Sequence, residues 1–92
     1  MTAERQFLGE WRQIRPDPRP ASILITFESG GRVVYTIEMG TVQILELTWR
    51  LDGEQLVVNQ SGAPTVISRF RFQSPTMLVL ERDGERSVYV RS

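Results

Sequence analysis

Between Ser22 and Arg91 the chain alternates apolar and polar residues in short runs, and each run is closed by residues that favour turns. Successive side chains of a strand point to opposite faces of a sheet, so period-two alternation predicts strands with one buried and one wet face. In SILITFE, Ile23, Ile25 and Phe27 share one face, opposite Ser22, Thr26 and Glu28. RVVYTI sets Val33, Tyr35 and Ile37 inward, QLVVNQ offers Leu56 and Val58, and MLVLER contributes Leu78 and Leu80. TVISRFRF places Val66, Phe70 and Phe72 on one side with Ser68 between them. In TVQILELTWRL the phase changes from Val42 and Ile44 to Leu45, Leu47, Trp49 and Leu51, which predicts a bulge near Ile44. SGG, EMG, SGAP and SPT separate these runs, and Asp-Gly at 52–53 and at 83–84 signals two tight hairpins before RSVYVR. The turns LDGE and RDGE share a chemistry rather than marking a repeat.

Upstream, GEWRQI reads as a first strand, and the alternate prolines of RPDPRP end it by favouring extended polyproline geometry. Thr2 is the expected cap of a short helix over Ala3 to Leu8, with Glu4 in its first turn and Gly9 as a left-handed stop. The apolar side of that helix is Phe7 and Leu8, followed by Trp11. The pattern therefore predicts an all-β domain spanning residues 1–92, with eight short strands and no internal helix.

Connections of two to about six residues force neighbouring strands to be antiparallel, because parallel crossovers need a dozen or more. A meander of eight short strands hides its two edges best by closing on itself, as an eight-stranded up-and-down barrel with the N-terminal helix over one end. An even strand number brings the start of the first strand and the end of the last to the same end, so Trp11 and Arg91 are expected neighbours. There the guanidinium can stack on the indole. Tyr35, Trp49, Phe70 and Phe72 face inward, where they either line a pocket for a small ligand or fill the barrel.

A short helix, the G-x-W of Gly9 to Trp11, an eight-stranded meander and an arginine at the end of the last strand together resemble the lipocalin-like barrels of the calycin superfamily. That resemblance implies that Gly9, Trp11 and Arg91 close one end. It also implies that a small apolar or amphipathic molecule binds at the mouth beside Tyr35, Trp49, Phe70, Phe72 and Tyr89. In such barrels the first loop partly lids the mouth, here Pro16 to Pro20; the alternative is a stiff connector. Tyr89 and Arg91 share a face, as do a tyrosine and arginine that clamp a carboxylate in the related fatty-acid-binding barrels, but their order and spacing differ and Arg91 is expected on Trp11 instead.

Composition narrows the chemistry. The chain has no cysteine, histidine or lysine, so thiolate, imidazole and Schiff-base chemistry and the usual soft metal ligands are missing; neither a metal nor a cofactor is expected. Eleven arginines balance eleven carboxylates, which leaves no field to gather nucleic acid. The basic-aromatic strip RFRF divides by alternation, with Arg69 and Arg71 on one face and the phenylalanines on the other. Glu28, Glu46 and Glu81 fall on polar faces, so no carboxylate pair is expected to converge. No apolar run approaches the roughly 20 residues of a membrane span, and MTAERQFLGE lacks the apolar core of a leader, so a cytoplasmic location without membrane contact is expected. The function these features favour is a non-enzymatic binding module. The alternative is a filled barrel acting in protein interaction or as a homodimer through outward Val34, Val57, Ile67, Val79, Val88 and Val90.

Overall fold

The computed structural model describes residues 4–60 and 62–92, so the predicted cap at Thr2 and the helix start at Ala3 lie outside the described residues. The helix is one turn, α1 (Glu4–Phe7), shorter than the expected span to Leu8 because Gly9 already begins the first strand. Eight strands follow: β1 (Gly9–Arg15), β2 (Ser22–Glu28), β3 (Arg32–Met39), β4 (Thr41–Asp52), β5 (Gln55–Asn59), β6 (Val66–Ser74), β7 (Met77–Arg82) and β8 (Glu85–Arg91). They form a closed barrel in chain order, every neighbouring pair antiparallel, with β8 returning to β1. Among the described residues, no helix is long and apolar enough to cross a membrane.

Alternation is realised most cleanly in β6, where Val66, Ser68, Phe70 and Phe72 turn inward while Ile67, Arg69 and Arg71 are exposed. The two Asp-Gly hairpins, alike in sequence, close differently. At the first, Asp52 pairs with Gln55 and the central residues are Gly53 (φ 61°) and Glu54, a type II′ pattern. At the second, Arg82 pairs with Glu85 around Asp83 (φ 53°) and Gly84 (φ 79°), a type I′ pattern. The same dipeptide thus sits one residue apart in the two turns, because the inward phase of each flanking strand sets the pairing.

Three expectations are corrected. β3 and β4 keep one register from Arg32↔Thr48 to Met39↔Thr41, so no bulge lies near Ile44; the ladder shifts fall instead between Gln13 and Arg15 and between Phe72 and Ser74. The change of phase arises because β4 outruns β5, which pairs only with Thr48 to Asp52, leaving the first half of β4 wet on both faces. RPDPRP turns rather than extends. Ala21 N donates to Pro18 O at 2.8 Å, and Asp17 accepts from the backbone N of Arg19 at 3.0 Å, the local bonding by which aspartate favours turns. Of the six outward apolar residues, Val57 and Val79 are buried, not wet. Val57 is flanked by Arg50 and Ile67, and Val79 by Arg71 and Val88, so arginine stems and branched neighbours shield the small valines. Val34, Val88 and Val90 are half-buried and Ile67 is exposed.

Candidate functional site

The barrel interior divides in two along its strands. At one end α1 drops Phe7, fully buried, into a ring of aromatic side chains. Its ring centroid lies 5.1 Å from Phe27, 5.5 Å from Trp49, 4.9 Å from Phe70 and 5.0 Å from Phe72, mostly in edge-on contacts. Tilted and edge-on pairs suit the aromatic quadrupole and add to the area they bury. Trp49 Nε1 donates to Glu28 O at 3.0 Å, so its polar atom is satisfied at the barrel wall.

Trp11, also fully buried, closes this end from β1. Trp11 and Arg91 are register partners, and the Arg91 guanidinium carbon stands 4.3 Å from the indole centroid. Arg91 Nη1 donates to Leu8 O and Nη2 to Gln6 O, both at 2.7 Å, while Trp11 Nε1 donates to Phe7 O at 2.8 Å. A helix leaves its last carbonyls without partners, and a cation there is favourable. Three consecutive carbonyls of the plug are therefore held by two side chains separated by nearly the whole chain. Gly9 is required by the same contact: its φ is 115°, and a Cβ would stand 2.7 Å from Arg91 Nη1. The guanidinium is committed to Trp11 and the plug, as expected, and does not clamp a carboxylate with Tyr89.

At the other end, a cavity of about 310 Å³ opens to solvent. Its wall continues the strands of the plugged half. On β8, Glu85, Ser87 and Tyr89 line it before Arg91 reaches Trp11; on β6, Val66 and Ser68 line it before Phe70 and Phe72 reach Phe7. Tyr35, Leu45, Leu47, Val58, Leu80 and Arg82 complete the lining. The five residues expected at a ligand are thus not brought together: Tyr35 and Tyr89 line the cavity, whereas Trp49, Phe70 and Phe72 pack around Phe7. The cavity residues that the aromatic pattern missed carry one legible signal. Ser68 and Ser87 occupy inward positions where a filled barrel would need large side chains.

Residues 16–20 contribute nothing to this lining; Asp17, Pro18 and Arg19 border a shallow outer cleft with Arg12 and Gln13. The first loop is a connector rather than a lid. Glu28 and Glu46 both face Arg32 on the outside, and Glu81 faces Arg86 at 3.9 Å. No group of three or more metal-ligating side chains is found among the described residues.

Burial pushes the Tyr35 hydroxyl up to about 12, with the nearby Tyr89 adding to the rise and Arg82 opposing it. Tyr89 is also raised by burial, against a hydrogen bond to Ser87 and the Arg82 charge. Both tyrosines are neutral acids whose folded form resists ionisation. Below about pH 10 neither state is ionised and stability is at its full value. Between about pH 10 and 12 the unfolded chain loses its proton while folded Tyr35 keeps it, so stability falls through that window. The difference corresponds to about 2–3 kcal/mol at most. Denaturant midpoints should decline across this range, and Tyr35→Phe should flatten the decline.

No protein-family model matches the chain, and no curated protein or solved structure matches it.

Proposed function

We propose that the protein is a non-enzymatic, lipocalin-like binding module that takes one small amphipathic molecule in the open half of its barrel. The observation that carries this is the pair of inward serines, Ser68 and Ser87, which leave about 310 Å³ unfilled beside apolar walls. The space opens to solvent at the end of the barrel and is walled by inward-facing side chains, so a small molecule can enter it from the mouth. Leu45, Leu47, Val58, Val66 and Leu80 suit an aliphatic body, while the hydroxyls of Tyr35 and Tyr89 and the Arg82 charge suit an anionic or hydroxylated head. The volume is at the small end of ligand pockets, which favours a medium-chain fatty acid over larger lipids.

Calorimetric titration with fatty acids of increasing length and the matching alcohols tests this. Saturable one-to-one binding is expected, strongest at medium chain length. Ser68→Phe, which fills the space, should weaken it at least tenfold without lowering the melt. Arg82→Ala should weaken the acids more than the alcohols. Absence of saturable binding, or binding indifferent to Ser68→Phe, would sink the reading. Self-association, the second reading, is favoured by a separate feature: the exposed apolar hairpin of β3 and β4.

A further inference from the structure

β4 is twelve residues long, and only its last five pair with β5. Thr41 to Leu47 are bonded to β3 on one side, and among the described residues no strand pairs with them on the other. Met39, Val42, Ile44 and Leu45 are among the exposed large apolar residues, at 62%, 56%, 63% and 39%. Soluble proteins defend a strand edge with lysine, proline, a bulge or an inward charge, because an open edge templates another strand. Thr41-Val-Gln-Ile-Leu45 has none of these: it is uncharged, without proline or glycine, and its register with β3 is unbroken. Glu46, the first charge, is engaged by Arg32 of the same chain.

We infer that this edge pairs antiparallel with the same edge of a second copy, forming a two-fold dimer whose sheet runs from β3 and β4 of one copy into β4 and β3 of the other. An antiparallel edge is complementary to itself under a two-fold axis, and the chain carries no net charge to hold copies apart. Side-chain chemistry selects the register. With Gln43 opposite its symmetry mate, Val42 of each copy faces Ile44 of the other and Thr41 faces Leu45, the full run of β4 from its first residue to Leu45. Glu46 then falls beyond the last pair of the ladder and keeps Arg32. A register centred on Ile44 instead sets Val42 against Glu46, placing a carboxylate on an apolar neighbour. Directly opposed residues of an antiparallel pair share a face, so the Gln43 register gathers the exposed Val42 and Ile44 of both copies on one face. The proposal is independent of ligand binding, although Leu45 and Leu47 also wall the cavity, so the seam runs beside its mouth.

The chain has no cysteine, which makes the register testable by a single substitution. Across an antiparallel pair Cα atoms stand about 4.5–5.5 Å apart, within the range of a disulfide. Gln43→Cys should therefore oxidise readily to a covalent dimer, and Arg50→Cys, on the part of β4 covered by β5, should not. In sedimentation velocity the unmodified chain is expected to run as a dimer at high micromolar concentration. Ile44→Lys and, separately, Val42→Lys should weaken it at least tenfold. Both side chains are exposed, so far-UV circular dichroism and the melt of the monomer should be retained. A monomer at those concentrations, a dimer indifferent to both lysine variants, or cross-linking of Gln43→Cys no faster than of Arg50→Cys would each overturn the proposal. So would an edge that is monomeric alone and pairs only with the strand of a different protein.

Discussion

Phe7→Ala is expected to cost about 3–5 kcal/mol, the largest loss from any single side chain outside the strands. Phe7 is wholly buried, and its ring meets Phe27, Trp49, Phe70 and Phe72 at centroid distances between 4.9 and 5.5 Å. Four rings facing an empty centre cannot collapse onto it, because each is fixed to a strand of a closed ladder. A domain of this size has about 5–15 kcal/mol in all, so at least about a fifth of its stability rests on a residue of a one-turn helix. Denaturant melts should show a lower midpoint with little change in slope, and Phe7→Leu should recover much of the loss. A cost below about 1 kcal/mol would mean that α1 is not the plug.

Trp11→Ala is expected to cost a comparable 3–5 kcal/mol, since it deletes a fully buried indole and frees the Phe7 carbonyl that Nε1 holds. Arg91→Ala should cost about 2–3 kcal/mol, because two charge-assisted bonds to Leu8 O and Gln6 O are lost along with stacking on the indole. The two residues act on consecutive carbonyls at the end of α1, those of Gln6, Phe7 and Leu8. Once either is gone, the turn loosens and the other has less to hold. The double mutant should therefore fall short of the sum of the singles by about 1–2 kcal/mol. Strict additivity in melts of the four proteins would show that the stack and the carbonyl bonds do not act together.

The Trp11–Arg91 contact was legible in the sequence because it depends on parity alone. Eight up-and-down strands return the last to the first, and both residues lie on inward-phase positions. The plug itself was foreshadowed by Phe7 and Leu8 ahead of Gly9. The candidate ligand site was legible only in part. Tyr35 and Tyr89 line the cavity, yet Trp49, Phe70 and Phe72, of the same inward phase, belong to the plugged end. Alternation states which face a side chain takes, not how far along the barrel it lies. Depth is set by the stagger of each strand against the next, which is a property of the closed ladder.

By itself, the sequence determined the features that local period and chain order dictate: strands with one inward face, short antiparallel connections, the meander, the pairing of β1 with β8 and the helix at one end. Only the tertiary structure decided that the inward residues split into an aromatic plug and an open cavity, and that Val57 and Val79 are buried beneath neighbouring side chains. It alone also decided that the first half of β4 stands as an uncovered edge where the phase suggested a bulge. The physical reason is common to all three. Each depends on which residues of distant strands stand level with one another, and that register comes from summing hydrogen-bond ladders and packing around the whole barrel, which no single run of residues encodes.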